Sequence, residues 1–229
     1  FALYGDLTVV ENLAFFASVY QVHGAERDER IDRLLRFAGL SAFRDRRASF
    51  LSGGMQKKLG LACSLIHDPE TLLLDEPTTG VDPVSRREFW EILTRLHLRG
   101  ATVLVSTPYM DEAERCSRVG LLYEGRLAVC DTPKGIKARV RGELLEVLPT
   151  DLRQAREVVA GLPYVLEVQT FGRLLHVFVQ TAQAQSPAIE AALRTQGIGV
   201  SQIRRIAPRM EDAFISLVAR PASPEEVRT

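Results

Sequence analysis

The chain has 229 residues, 46% of them hydrophobic and 25% charged, with 29 basic and 29 acidic side chains. That is an average globular composition, long enough for one large domain or two modest ones. Zero net charge and scattered Lys and Arg argue against a nucleic-acid surface or an anionic-membrane patch, and no apolar run reaches the length of a transmembrane helix.

The three cysteines, Cys63, Cys116 and Cys130, are far apart. They read as small core residues in a reducing compartment, not as a disulfide framework or zinc site. The opening FALYGDLTVVENLAFF has no basic n-region, so an internal start at Phe1 is expected in place of a signal peptide.

Thr8 and Glu11 form a T-x-x-E capping box. It predicts a helix from Val9 to about Val22, with Leu13, Phe16, Ala17 and Tyr20 on the apolar face. A second helix is expected over residues 27–38. It buries Ile31, Leu34, Leu35 and Ala38 and places Glu29–Arg33 and Asp32–Arg36 as ion pairs on the wet side. Ser52 caps a third helix, whose stripe is Met55, Leu59, Ala62 and Ile66. His67 falls near its C-terminal end, where the dipole favours positive charge.

TLLLDEP, a continuous apolar run, reads as a buried parallel strand. Asp82 and Pro83 open a helix that carries Phe89, Ile92, Leu93 and Leu96 and stops at Gly100. ATVLVST is another buried strand, and Thr107 and Pro108 start a helix through Cys116. VGLLYEGRLAVC is a hairpin turning at Glu124-Gly125. Alternating strand and helix marks an α/β layer.

After a break near residues 139–142, the order is strand (ELLEVL), helix, strand (VLEVQTF), strand (RLLHVFV), helix, strand (GVSQIRRI). This βαββαβ order predicts a small α+β, ferredoxin-like unit. His176, amid Leu174, Leu175, Val177 and Phe178, reads as a structural histidine. A last helix over 209–218 puts Met210, Phe214, Leu217 and Val218 on one side, and the tail PASPEEVRT is expected to be disordered.

Two motifs carry chemistry. In LSGGM, Ser52, Gly53 and Gly54 stand at a helix N-terminus. Glycines let the backbone approach a ligand, and free N–H groups with the helix dipole favour an anion. The plainer reading is a Ser N-cap after a turn. A serine nucleophile would need glycine where Phe50 stands. In LLLDEPTTGVDP, Asp75 and Glu76 end a strand, where open parallel sheets bind ligands. One carboxylate can hold Mg²⁺ and the other can orient or deprotonate water. The plainer reading is a solvated strand end.

LSGGM followed by LLLDEPTTGVDP resembles the signature, Walker B strand and D-loop of ABC transporter ATPases. The resemblance covers residues 1–137, and its most similar subtype is the ATP-binding subunit of ABC-2 type, drug-resistance exporters. It implies a partial P-loop NTPase fold. Residues 1–50 would be a helical subdomain, 51–141 the C-terminal part of the ATPase core, 142–220 the accessory ferredoxin-like domain and 221–229 the tail.

It also implies ATP and Mg²⁺ as cofactors, with Asp75 on the metal and Glu76 as the catalytic carboxylate. Ser52, Gly53 and Gly54 would contact the γ-phosphate of ATP held by a second ATP-binding subunit, and Asp82 would reach across that interface. A membrane-spanning permease is the expected partner, contacted near residues 1–6. The implied location is the cytoplasmic face of the inner membrane.

Two departures from the family stand out. No G-x-x-x-x-G-K-[ST] loop and no Q-loop glutamine occur in the chain, which reads as truncation and implies poor ATP binding by these residues alone. Pro108 stands where the family usually has a histidine that contacts the γ-phosphate. Proline offers no side-chain donor, and Tyr109 is one candidate to compensate. The alternative reading is therefore a regulatory module that dimerises on ATP without turnover. A soluble ABC ATPase of translation or DNA repair would carry paired cassettes, a coiled coil or basic surfaces, and none is visible.

Overall fold

The computed structural model describes residues 3–218. Phe1 and the tail at 221–229, with its expected disorder, lie outside the described residues. The chain forms two compact units, one through Pro108 and one from Tyr109 onward.

The first unit starts with α1 (Val9–Val19). Both halves of the capping box form: Glu11 N–H donates to Thr8 Oγ1 at 3.2 Å and Thr8 N–H to Glu11 Oε2 at 2.7 Å. The helix ends before Val22 because Gln21 turns left-handed (φ 59°) and Val22 N–H folds back onto the Ala17 carbonyl at 2.8 Å. Buried Asn12 ties the preceding loop down, accepting from Tyr4 N–H and donating to the Tyr4, Leu7 and Thr8 carbonyls.

Helix α2 (Gly24–Ala38) buries Ile31, Leu34, Leu35 and Ala38 as expected and stops at Gly39 (φ 68°). Its ion pairs differ from the expected ones. Arg33 pairs with Asp68 and Asp32 with Arg44, while the i,i+4 pair is Glu26–Arg30. Neighbouring loops bring Asp68 and Arg44 within reach, and tertiary partners replace the local ones. Helix α3 (Gly53–Ser64) is capped by Ser52 and ends before His67, whose ring stacks on Tyr20 with centroids 3.9 Å apart.

Strands β1 (Thr71–Asp75) and β2 (Thr102–Ser106) pair in parallel, joined through α4 (Pro83–Leu98). Asp82 caps α4 and Pro83 enters its first turn. The expectation of fully buried strands is not met. Leu72 and Leu74 are buried, but the register partners Leu73 and Leu104 are 73% and 65% exposed. Only one face of this two-stranded sheet is covered among the described residues.

In the second unit, α5 (Met110–Ala113) is much shorter than the helix expected from Thr107 to Cys116. Tyr109 is still extended, so the helix opens only at Met110. Past Ala113 the chain tightens into i→i+3 bonds, from Arg115 N–H to Glu112 O and from Cys116 N–H to Ala113 O. Strands β3 (Val119–Tyr123) and β4 (Arg126–Asp131) form the expected hairpin. Its turn has positive φ at both Glu124 (47°) and Gly125 (74°), the geometry that matches strand twist. Helix α6 (Pro133–Ala138), opened by a Thr132 cap, was not anticipated.

Strands β5 (Glu143–Pro149), β6 (Val165–Phe171), β7 (Leu174–Val179) and β8 (Val200–Ile206) form an antiparallel sheet of order β6-β7-β5-β8. With α7 (Leu152–Ala160) after β5 and α8 (Ala182–Thr195) after β7, this is the ferredoxin-like arrangement. Leu145, Val147, Leu175 and Val177 pack with Val159, Ile189 and Leu193 on the helical face. On the other face Leu144 and Phe178 share a core with Ile136, Met210 and Ala213, so α6 and α9 (Met210–Val218) close it. Each such fully buried Leu or Ile contributes roughly 1.5–3 kcal/mol.

Candidate functional site

The N-terminus of α3 is built by Ser52, which is extended (φ −64°, ψ 158°) and accepts Met55 N–H at 3.3 Å. The N–H groups of the first helical turn have no partner within the helix, so Gly53 and Gly54 supply donors here. The two glycines differ. A Cβ on Gly54 would lie 2.4 Å from Ser85 Cβ, so its missing side chain is what lets α3 pack on the start of α4. A Cβ on Gly53 would meet nothing nearer than Gly80 O at 4.0 Å, so its face stays open. Beside it lies a hollow of about 280 Å³ lined by Leu3, Gly53, Gln56, Lys57, Thr79 and Gly80, among others.

The second group sits at the end of β1. Asp75 pairs in register with Ser106 of β2. Ser106 Oγ donates to Asp75 Oδ1 and accepts Glu76 N–H at 2.9 Å, while the Ser106 carbonyl accepts the same N–H at 3.1 Å. Glu76 takes a left-handed backbone (φ 42°), uncommon for a residue with a side chain. Thr79 Oγ1 donates to Glu76 Oε2 at 3.1 Å. The turn closes with Gly80 (φ 76°), and Asp82 Oδ1 then accepts Val84 and Ser85 N–H at 3.1 and 2.9 Å. The Ser85 hydrogen bonds hold the Asp82 carboxyl below its ordinary value.

Gly54–Ser85 packing thus brings the Ser-Gly-Gly turn against the segment Gly80–Ser85, and Thr79 links that segment to Glu76. Asp75 and Glu76 do not line the hollow. Ser106 and Thr79 were missed by sequence reasoning. The signal for Ser106 was that the five-residue runs TLLLD and TVLVS, aligned end to end, place it opposite Asp75.

No group of three or more His, Cys, Asp or Glu side chains is arranged to hold a metal ion among the described residues. A cation here would take one or two carboxylates and complete its shell with water and phosphate, the usual donor set of Mg²⁺. Asp75 and Glu76, both exposed, fit it. The cysteines are free, and burial pushes Cys63 up to about 12. Cys130 departs from the core expectation, being exposed with the Arg118 guanidinium 3.5 Å from its sulfur. No helix among the described residues is long and apolar enough to cross a membrane.

Residues 2–79 match the ABC transporter family. Over 220 residues the chain is 40% identical to the probable multidrug ABC transporter ATP-binding protein YbhF of Escherichia coli, covering 95% of this chain and 37% of that protein. Over 217 residues it is 37% identical to Nod factor export ATP-binding protein I of Paraburkholderia xenovorans, covering 94% of this chain and 69% of that protein. The chain belongs to the ABC transporter ATP-binding family.

It spans little more than a third of the first of these relatives. Among ABC proteins of known structure, cbiO1 from Clostridium perfringens, part of the ABC transporter complex cbiONQ, aligns with a TM-score of 0.55 at 27% identity over 70% of this chain and 60% of that one. An ATP binding subunit of an ABC transporter aligns with a TM-score of 0.53 at 30% identity, over 60% of this chain and 58% of that one. The mixed α/β fold is that of ABC ATPase subunits.

Proposed function

We propose that the protein is the ATP-binding subunit of an ABC exporter, coupling ATP binding and hydrolysis to transport through a separate membrane-spanning permease. The observation that carries this reading is the Asp75–Glu76 pair at the end of a parallel strand, with Glu76 held in a left-handed turn that leads to the Asp82 cap. Bound with ATP, Mg²⁺ would neutralise charge on the β- and γ-phosphate oxygens. Asp75 would hold that ion, and Glu76 would orient the attacking water and accept its proton. Ser52, Gly53 and Gly54 would present N–H and hydroxyl groups to the γ-phosphate of ATP carried by a second such subunit, with Asp82 at the same interface.

The domain reading goes with this proposal. Residues 1–50 would form the helical subdomain, its start facing the permease. Residues 51–141 would belong to the ATPase core, and 142–220 would serve dimer contacts or regulation. The subunit would work on the cytoplasmic face of the inner membrane.

Because the first relative is far longer than this chain, the test uses the complete gene product. ATP hydrolysis that is lost in Glu76→Gln supports the enzyme. Absence of hydrolysis in the wild type, with nucleotide-driven dimerisation intact, supports the regulatory alternative. Pro108 favours that second reading, since loss of one preorganised donor costs roughly 10²–10³ in rate. Pro108→His should raise turnover if the missing donor limits it, and unchanged turnover would clear proline of blame.

A further inference from the structure

We propose that Ser106 is a positioning residue that orients the Asp75 carboxylate and holds the backbone turn at Glu76, and so sets divalent-cation affinity and turnover. The inference rests on the reading of that pair given above. Its observation is a single exposed hydroxyl placed by strand register between the two acids.

The direction of each hydrogen bond follows from the groups involved. Glu76 N–H can only donate, so Ser106 Oγ is its acceptor, at 2.9 Å. The serine proton then points to Asp75 Oδ1, which accepts it. Asp75 is thereby fixed through one oxygen, with the other left for a cation or its water. Support of this kind to a liganding carboxylate typically controls metal affinity and activity by about 10–100-fold.

The same residue stabilises an awkward backbone. A left-handed glutamate persists only where its surroundings over-determine it. Here Glu76 N–H is shared by the Ser106 carbonyl and hydroxyl, Glu76 O accepts Thr79 N–H at 3.2 Å, and Glu76 Oε2 accepts from Thr79 Oγ1. Alanine at position 106 keeps the carbonyl bond and loses both hydroxyl bonds. Threonine keeps all three and suits a strand.

The test compares wild type, Ser106→Ala and Ser106→Thr in the complete gene product. Mn²⁺ binding is followed by electron paramagnetic resonance with a non-hydrolysable ATP analogue, and steady-state kinetics run in parallel. Ser106→Ala should weaken Mn²⁺ binding roughly tenfold and lower kcat by about 10–100-fold, with KM for ATP within about twofold. Ser106→Thr should recover both to within about threefold. Wild-type Mn²⁺ affinity in Ser106→Ala overturns the proposal, as does a threonine variant no better than alanine.

The two readings fail separately. If wild type never hydrolyses ATP but Ser106→Ala still loses Mn²⁺, the enzyme reading falls and the role of Ser106 in cation binding stands. If Glu76→Gln abolishes turnover while Ser106→Ala binds Mn²⁺ normally, the reverse holds.

Discussion

Each unit of the molecule sets a polar cluster on a sheet, and the two clusters are built oppositely. At the end of β1, Asp75, Glu76 and Ser106 are all exposed. Their hydrogen bonds orient the carboxylates without using every oxygen. In the second unit a polar row crosses the four-stranded sheet in register: Gln169, His176, Glu146 and Arg204. Here Glu146 and His176 are 4% and 1% exposed. Glu146 Oε1 accepts from Arg204 Nε at 2.7 Å, and His176 Nδ1 donates to Asp212 Oδ1 at 2.7 Å. Asp212 Oδ2 accepts Arg209 N–H at 2.8 Å, at the start of α9. Phe171 stacks on His176 and carries the Arg209 guanidinium above it. Burial drives the second cluster to pair internally, except at His176 Nε2, which has no hydrogen-bond partner, and the pairing docks a helix. Exposure leaves the first free to take a ligand.

Removing one carboxylate from each cluster should separate these roles. Glu76→Gln is expected to cut turnover by about 10²–10⁴-fold, the range for a general base. It should leave melting nearly unchanged, because the side chain is solvated. Asp212→Ala is expected to do the reverse. It leaves buried His176 Nδ1 without its acceptor, at a cost of about 1–3 kcal/mol, and leaves turnover per folded molecule intact. Chemical denaturation beside an ATPase assay reads both. A Glu76 variant that unfolds easily, or an Asp212 variant that is stable, would collapse the contrast.

The contrast between neighbouring glycines is sharper and its effect smaller. Gly54→Ala pushes a methyl into Ser85 Cβ and should cost roughly 1–3 kcal/mol, as overpacking does. Ser85→Gly removes the obstructing atom, so the double variant should recover part of that loss, a coupling that a thermodynamic cycle measures. Gly53→Ala should leave stability unaltered and reduce turnover alone, since its open face is the one a phosphate would approach. Equal destabilisation by both substitutions would mean that the N-terminus of α3 is only a packing joint.

Much of this was readable from local pattern. The Thr8–Glu11 box, the Asp82–Pro83 start, the Glu124-Gly125 turn and the βαββαβ order are set by residues within a few positions of each other. The legible site residues, Ser52 to Gly54 and Asp75 to Asp82, are contiguous for the same reason. What escaped lies across the fold. Ser106 acts on Asp75 from 31 residues away, and Asp212 on His176 from 36. The conflict between Gly54 and Ser85, and the replacement of Glu29–Arg33 by Arg33–Asp68, depend on which helices become neighbours. Exposure of Leu73 escaped because an apolar run states what a strand prefers, not what covers it. Helix α6 escaped although Thr132-Pro133 is the same start signal as Asp82-Pro83, because six residues give no apolar period to confirm it.

The smallest expected effect is on acid stability, and it tests whether the buried cluster is held by charge. Burial alone would raise the Asp212 carboxyl. The His176 hydrogen bond and Arg209 N–H more than offset it and hold the group below its ordinary value of 3.8. The folded protein therefore binds this proton more weakly than the unfolded chain. Its stabilisation is complete above about pH 4 and is lost as pH falls through the lower folded value. Asp212→Asn keeps the shape but has no proton to gain in that range. The stability gap between wild type and Asp212→Asn, followed by denaturant titration from about pH 6 to pH 2, should be constant above pH 4 and shrink below it. A gap that stays constant throughout would mean that α9 is held by shape and neutral hydrogen bonds. The buried cluster would then differ from the exposed one in burial alone, not in its use of charge.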